Sequence, residues 1–104
     1  MKRIVRVSKS AREQFRIMLI QGAEKFGIAV SEAKRDVVVD KIENYLAENP
    51  HRGRRDPRRK FWHYPVSKTP FVVVYEYDDA ELRVLFIVHN RADRRRLRVA
   101  DVEW

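Results

Sequence analysis

Phe71-Val72-Val73-Val74-Tyr75-Glu76-Tyr77-Asp78-Asp79-Ala80-Glu81-Leu82-Arg83-Val84-Leu85-Phe86-Ile87-Val88-His89 decides the fold of this 104-residue chain. Two β-type runs, Phe71–Asp78 and Leu82–His89, meet at Asp78-Asp79-Ala80-Glu81, the spacing of a tight hairpin. Phe71–Tyr75 and Val84–Val88 are apolar at consecutive positions rather than alternate ones. Strands apolar on both faces are interior strands. The hairpin is therefore predicted at the middle of a sheet, with the rest of the chain arranged around it.

Moving upstream, Ser67-Lys68-Thr69-Pro70 separates the hairpin from a third β-type run, Lys60–Val66. His51–Arg59, rich in Arg and punctuated by Gly53 and Pro57, reads as a loop. Asn49-Pro50 stops whatever helix precedes it, because proline forbids continuation. That helix is predicted over Glu32–Glu48, with Ser31 as N-cap and Val37, Val38, Ile42, Tyr45 and Leu46 on its apolar side. An earlier helix is predicted over Ala11–Phe26. Phe15, Met18, Leu19, Ala23 and Phe26 follow the spacing of one buried face, and Gly27 suits the C-terminal stop. Ser10 and Glu13 have the spacing of a capping box at its start. Lys2–Val7 reads as the first strand, and Asp93–Leu97 as a short helix before a tail ending in Trp104. The fold class is α+β in the order β-α-α-β-β-β, a helical hairpin covering one face of a small antiparallel sheet. Residues 1–104 form one domain, with the other sheet face only partly covered.

Hydrophobic residues make up 44% and aromatics 11%, ordinary for a globular fold. The longest apolar runs are about five residues, against roughly 20 for a membrane-crossing helix. No secretion signal is visible at the N-terminus. The chain has no cysteine, which excludes disulfides, thiolate zinc sites and cysteine nucleophiles. Histidines 51, 63 and 89 lack metal-ligand spacing, and no glycine-rich phosphate loop is present. No cofactor, metal or membrane association is expected, and the cytoplasm is the expected location.

The net charge of +8 is concentrated. Residues 48–68 hold seven Lys/Arg against two Asp/Glu, and residues 91–98 hold five against one. The remaining 75 residues carry a net −1. Surfaces ordinarily mix their signs, so this distribution points to an anionic partner, nucleic acid or an acidic protein. In a three-strand meander the two basic segments would fall at opposite strand ends unless the long loop folds over.

The stretch Thr69–Asp79 followed by Leu82–Asp93 resembles the central hairpin of the RelE/ParE superfamily, the toxins of bacterial type II toxin–antitoxin modules. The resemblance lies in an apolar strand ending Tyr75-Glu76-Tyr77-Asp78 and a second ending His89-Asn90-Arg91, with length, element order and charge matching over nearly the whole chain. It implies a growth-inhibitory toxin of the plasmid-stabilisation type, neutralised by a cognate antitoxin in a hetero-oligomer. The basic groove would then hold the acidic antitoxin, with the helical hairpin and an exposed sheet edge as further contacts.

Two activities divide that superfamily: ribosome-dependent mRNA cleavage and inhibition of DNA gyrase. The cleaving branch brings strand cations together with a C-terminal Arg and a Tyr or His. After His89 this chain has no Tyr, and Trp104 is its only aromatic there. The resemblance is therefore closer to the ParE-like, gyrase-inhibiting branch, with mRNA endoribonuclease as the alternative. A basic nucleic-acid-binding module without toxicity is a second alternative.

If the chain is a ribonuclease, the catalytic candidates are His89 as general acid or base, Arg91 as stabiliser of the crowded phosphorane, and Lys60 and Arg83. Arg58, Arg59, Lys68, Arg94 and Arg95 are candidates for contact with the target or nucleic acid. His63 shares a face with Phe61, opposite Trp62 and Tyr64. With Trp62 and Tyr64 in the core, His63 is expected to be exposed. His51 is expected to be inert. Phe61, Trp62 and Tyr64 beside Arg58–Lys60 also have the composition of a base-stacking platform.

Overall fold

A computed structural model describes residues 2–104. Its elements are β1 (Ile4–Val7), α1 (Lys9–Phe26), α2 (Ile28–Asp40), β2 (Arg54–Arg55), β3 (Trp62–Pro65), β4 (Phe71–Tyr77) and β5 (Glu81–His89). The strands form one sheet in the order β1-β5-β4-β3-β2. The apolar hairpin β4–β5 therefore lies inside the sheet, as its two-faced composition requires. β2, β3, β4 and β5 pair antiparallel in sequence. β1 differs, adding to the outside of β5 in parallel, Ile4 opposite Glu81 and Val7 opposite Val84. A parallel partner needs a crossover, and the helical hairpin supplies it.

The sheet buries both faces. On one, α1 and α2 cover Val66, Phe71, Val73, Tyr75, Leu82, Val84 and Ile87. Val38 reaches down from α2, Ile42 and Leu46 from the turn that continues it, and Phe15, Met18 and Leu19 from α1. On the other face, Phe61, Val72, Val74, Leu85, Phe86 and Val88 form a second core capped by Leu97 and Val102 of the tail. The tail is pinned where α1 begins. The Glu103 N–H donates to Ser10 Oγ at 2.9 Å, and the Ser10 N–H to the Glu103 carbonyl at 3.2 Å. The Arg6 guanidinium lies 4.9 Å from the Trp104 ring centre, a cation–π contact. Cover of the second face is thus fuller than the sequence indicates.

Two expected caps differ, each because a tertiary contact overrides the local pattern. The cap of α1 is Ser8, not Ser10. Ser8 is fully buried where β1 leaves the sheet. Its Oγ accepts the Ala11 N–H at 2.9 Å and donates to the Leu85 carbonyl at 2.6 Å. Glu13 pairs with Arg16 instead of closing a box. α2 begins at Ile28, because Gly27, at φ +97°, makes the whole turn between the helices. Ser31 is not a cap. It is buried inside the hairpin and donates to the Leu19 carbonyl at 2.7 Å. The expected helix past Asp40 continues as a wider π turn, Lys41–Leu46, and the segment after His89 makes a 3₁₀ turn at Arg94–Arg96.

Candidate functional site

Asp56 organises the basic loop. Its backbone N–H donates to the Phe61 carbonyl at 2.8 Å. Its Oδ1 accepts the N–H groups of Arg58 and Arg59 at 2.8 and 3.1 Å, an Asx turn. Lys60, at φ 60°, completes the reversal. The segment before it is thereby laid alongside β3 as β2, with Arg54 opposite His63. The Gly53 N–H donates to the buried Tyr75 hydroxyl at 3.1 Å, and that hydroxyl donates to the Pro50 carbonyl at 2.5 Å. Burial raises the Tyr75 pKa well above that of a free phenol, so the hydroxyl keeps the proton it donates.

A Cβ at Gly53 would lie 2.9 Å from Tyr75 Cζ and 3.0 Å from the His63 carbonyl oxygen. Gly53→Ala is therefore expected to cost about 1–3 kcal/mol by overpacking. Urea unfolding measures it, and loss of the β2–β3 amide protection in hydrogen exchange would accompany it. An unchanged midpoint with intact protection would show that β2 is not held through Tyr75.

The second basic segment turns back across the same sheet face. Asp93 caps its 3₁₀ turn, accepting the Arg95 N–H at 3.0 Å. The Arg59 guanidinium donates to the Arg94 carbonyl at 3.0 Å and ties the two segments together. The long loop does fold over, so the basic segments meet instead of lying at opposite strand ends. Between them is a cleft of about 490 Å³. It is lined by Arg54, Arg55, Asp56, Pro57 and Arg59 of the loop, His63 and Pro65 of β3, Val72 of β4, and Ala92–Arg95 of the tail.

Five arginines and two aspartates line this cleft. Arg95 is matched by Asp93, Nε to Oδ1 at 3.0 Å and Nη2 to Oδ2 at 3.2 Å. Arg59 lies 3.5 Å from Asp56. Arg54, Arg55 and Arg94 make no ion pair among the described residues. Three guanidiniums therefore present unspent donors to one concavity, the arrangement that suits phosphate or carboxylate oxygens.

His63 is the one imidazole among them. Its side chain is only 15% exposed, and Nε2 lies 3.8 Å from Asp56 Oδ2. Nδ1 is buried without a hydrogen-bond partner among the described residues. The Phe61 ring meets the imidazole edge-on, with centroids 5.1 Å apart. Burial, then repulsion by Arg94, pulls the imidazole pKa below its ordinary value, with Asp56 opposing. Asp56 itself is held below the usual carboxylate range, first by the Arg58 N–H. A neutral imidazole beside a carboxylate, ringed by cations, can accept a proton or bind an oxyanion.

The structure brings together only some of the residues singled out in the sequence. Arg59, Arg94 and Arg95 line the cleft. Arg58 is exposed on the turn beside it, and Lys68 is exposed at φ 66° in the β3–β4 turn, outside it. Lys60 is exposed at the loop reversal. Arg83 bonds Glu76, Asp78 and Glu81 at 2.8–2.9 Å, near the hairpin turn. It lies six residues along β5 from His89, roughly 20 Å of extended strand. His89 sits across the sheet, in a groove with Phe26, Val30, Phe71 and other residues of the helical hairpin. His89 Nδ1 accepts the Arg91 N–H at 3.1 Å and so caps the turn; Arg91 is exposed.

His89, Arg91, Lys60 and Arg83 therefore do not converge. His63, expected to be exposed, is largely buried because the tail and Phe61 enclose its face, and Arg54, Arg55 and Asp56 join it in the cleft. The usable signal was the apolar run Val72, Val74, Leu85, Phe86 and Val88, which demands a cover that Leu97 and Val102 can provide.

No protein-family model and no curated protein sequence matches this chain. Solved structures do. A chain of the chromosomal ParDE TA system from P. aeruginosa superposes with a TM-score of 0.72 at 10% identity, over 85% of this chain and 96% of that one. A chain of the toxin–antitoxin complex RelBE2 from Mycobacterium tuberculosis superposes with a TM-score of 0.58 at 19% identity, over 86% and 99%. The central hairpin, its flanking strands and the helical crossover thus compose a fold shared with a chain of each of these two toxin–antitoxin systems.

Proposed function

We propose that this chain is the toxin of a type II toxin–antitoxin module, inhibiting growth until a cognate antitoxin binds it. The observation that carries this reading is the arginine cleft, built by folding two basic segments onto one face of a RelE/ParE sheet. DNA gyrase is the favoured target. The scattered positions of His89, Arg91, Lys60 and Arg83 support inhibition over cleavage. The antitoxin is an acidic, amphipathic chain. Phe26, Ile28 and Val30 are exposed on the helical hairpin, and Lys25 and Lys34 both lie over the Phe26 ring. That pairing of apolar area with positive charge suits such a partner.

Expression of the chain alone is expected to stop bacterial growth, and co-expression of the antitoxin to restore it. Normal growth with soluble protein confirmed would overturn the reading. With purified gyrase, supercoiling should be lost or DNA breaks should accumulate. Unaffected supercoiling at excess protein would remove gyrase as the target.

His63 gives a second reading its footing. A neutral imidazole among guanidiniums is the equipment of a ribonuclease, able to take a 2′-hydroxyl proton beside a stabilised phosphorane. On that reading primer extension shows cuts in translated messages, and His63→Ala lowers cutting about 10²–10⁴-fold. His89→Ala then leaves it nearly unchanged.

A further inference from the structure

We propose that the cleft takes up a proton together with a phosphodiester backbone, with His63 the group protonated, so that its hold on nucleic acid tightens as the pH falls. The proposal rests on the reading of the cleft as this chain's working surface, and adds to it a regulated ligand chemistry.

The charged groups facing His63 come from three segments: Arg54 on β2, Asp56 and Arg59 on the turn, and Arg94 on the tail wall. β4 contributes no charged group there, only Val74, opposite in register, and Val72 in the cleft lining. Three cations thus oppose one carboxylate around a ring that is already largely buried. In the empty cleft a fourth positive charge is disfavoured. A phosphodiester lying along Arg54, Arg55 and Arg94 cancels the repulsion those groups exert. Protonation then gives Nε2 a charged partner in Asp56, 3.8 Å away, and makes both ring nitrogens donors. Nδ1, which has no partner among the described residues, gains an acceptor if a phosphate oxygen enters. Ligand and proton therefore favour each other, and by linkage each raises the other's affinity by the same factor. His63 is here a positioning and binding residue, whether or not any bond is cleaved.

A short oligothymidylate is the suitable probe, because its charge is constant over the imidazole range and it has no 2′-hydroxyl to be attacked. Binding is measured by fluorescence anisotropy at constant ionic strength, at about pH 8 and about pH 5.5, on either side of the histidine range. The expected result is about tenfold tighter binding at the lower pH, the equivalent of one unit of pKa change. His63→Gln is expected to abolish this dependence, while His51→Gln and His89→Gln retain it. Nuclear magnetic resonance of the imidazole in the unaltered protein gives an independent measure. Its titration midpoint should rise when the oligonucleotide is added.

A flat pH response, a midpoint that does not move, a His63→Gln variant that keeps the slope, or no binding at either pH would each overturn the proposal, whether or not the chain arrests growth. The slope and midpoint shift in a chain that fails to arrest growth would support the proposal and remove the toxin reading instead.

Discussion

Phe61→Ala is expected to lose about 3–5 kcal/mol of stability, the cost of emptying a buried phenyl site. Phe61 is fully buried and belongs to the core on the sheet face away from the helices. Its ring also abuts His63, and its carbonyl accepts the Asp56 N–H. One substitution therefore opens the second core and loosens the turn that forms a cleft wall. Domains of this kind have only about 5–15 kcal/mol of stability to lose. Urea unfolding of Phe61→Ala and Phe61→Leu distinguishes the cause. The leucine variant keeps most of the volume and should lose under about 1.5 kcal/mol. If the alanine variant unfolds within about 0.5 kcal/mol of the parent, the range of ordinary surface changes, the tail-covered face is not a core.

On the toxin reading, the double charge reversal Arg54→Glu/Arg94→Glu is expected to abolish growth arrest, raising survival by orders of magnitude to that of cells without the chain. With His63 neutral, the lining changes from three net positive charges to one net negative. Neither guanidinium closes an ion pair among the described residues, so the fold loses little. The Arg94 carbonyl that receives Arg59 is unaffected by the change of side chain. The unfolding free energy should therefore stay within about 0.5 kcal/mol of the parent. Lys68→Glu removes a charge of the same sign outside the cleft and should leave arrest intact. Arrest by the folded double variant would show that toxicity acts through another surface.

The hairpin and the element order were legible because β4 and β5 carry their burial in composition alone. Phe71–Tyr75 and Val84–Val88 admit no solvent face, and the period of Phe15, Met18, Leu19, Ala23 and Phe26 identifies a helix without tertiary information. What was not legible depended on contacts distant in sequence. Ser10 has the spacing of a capping box, and Ser8 becomes the cap only because Leu85 lies beside it while Glu103 engages Ser10. Arg54-Arg55 has no strand propensity, and pairs only because Tyr75 anchors Gly53 and Asp56 turns the chain. The cleft was half legible. Charge clustering pointed to Arg59, Arg94 and Arg95, but its meeting point required a loop folded onto β3. His63 was obscured by alternation, which assigns it a face but not what covers that face.

The parallel pairing of β1 with β5 has a consequence during synthesis. Ser8 meets Leu85, 77 residues later, and the strand central to both cores is the last of the sheet to be made. Closing so long a loop is slow and is rewarded only once β5 is present. The nascent chain up to β4 has no partner for its first strand, and Arg94 has not yet been added. A prematurely terminated product therefore has neither core nor cleft. The complete sheet and the cleft exist only after translation has passed the tail.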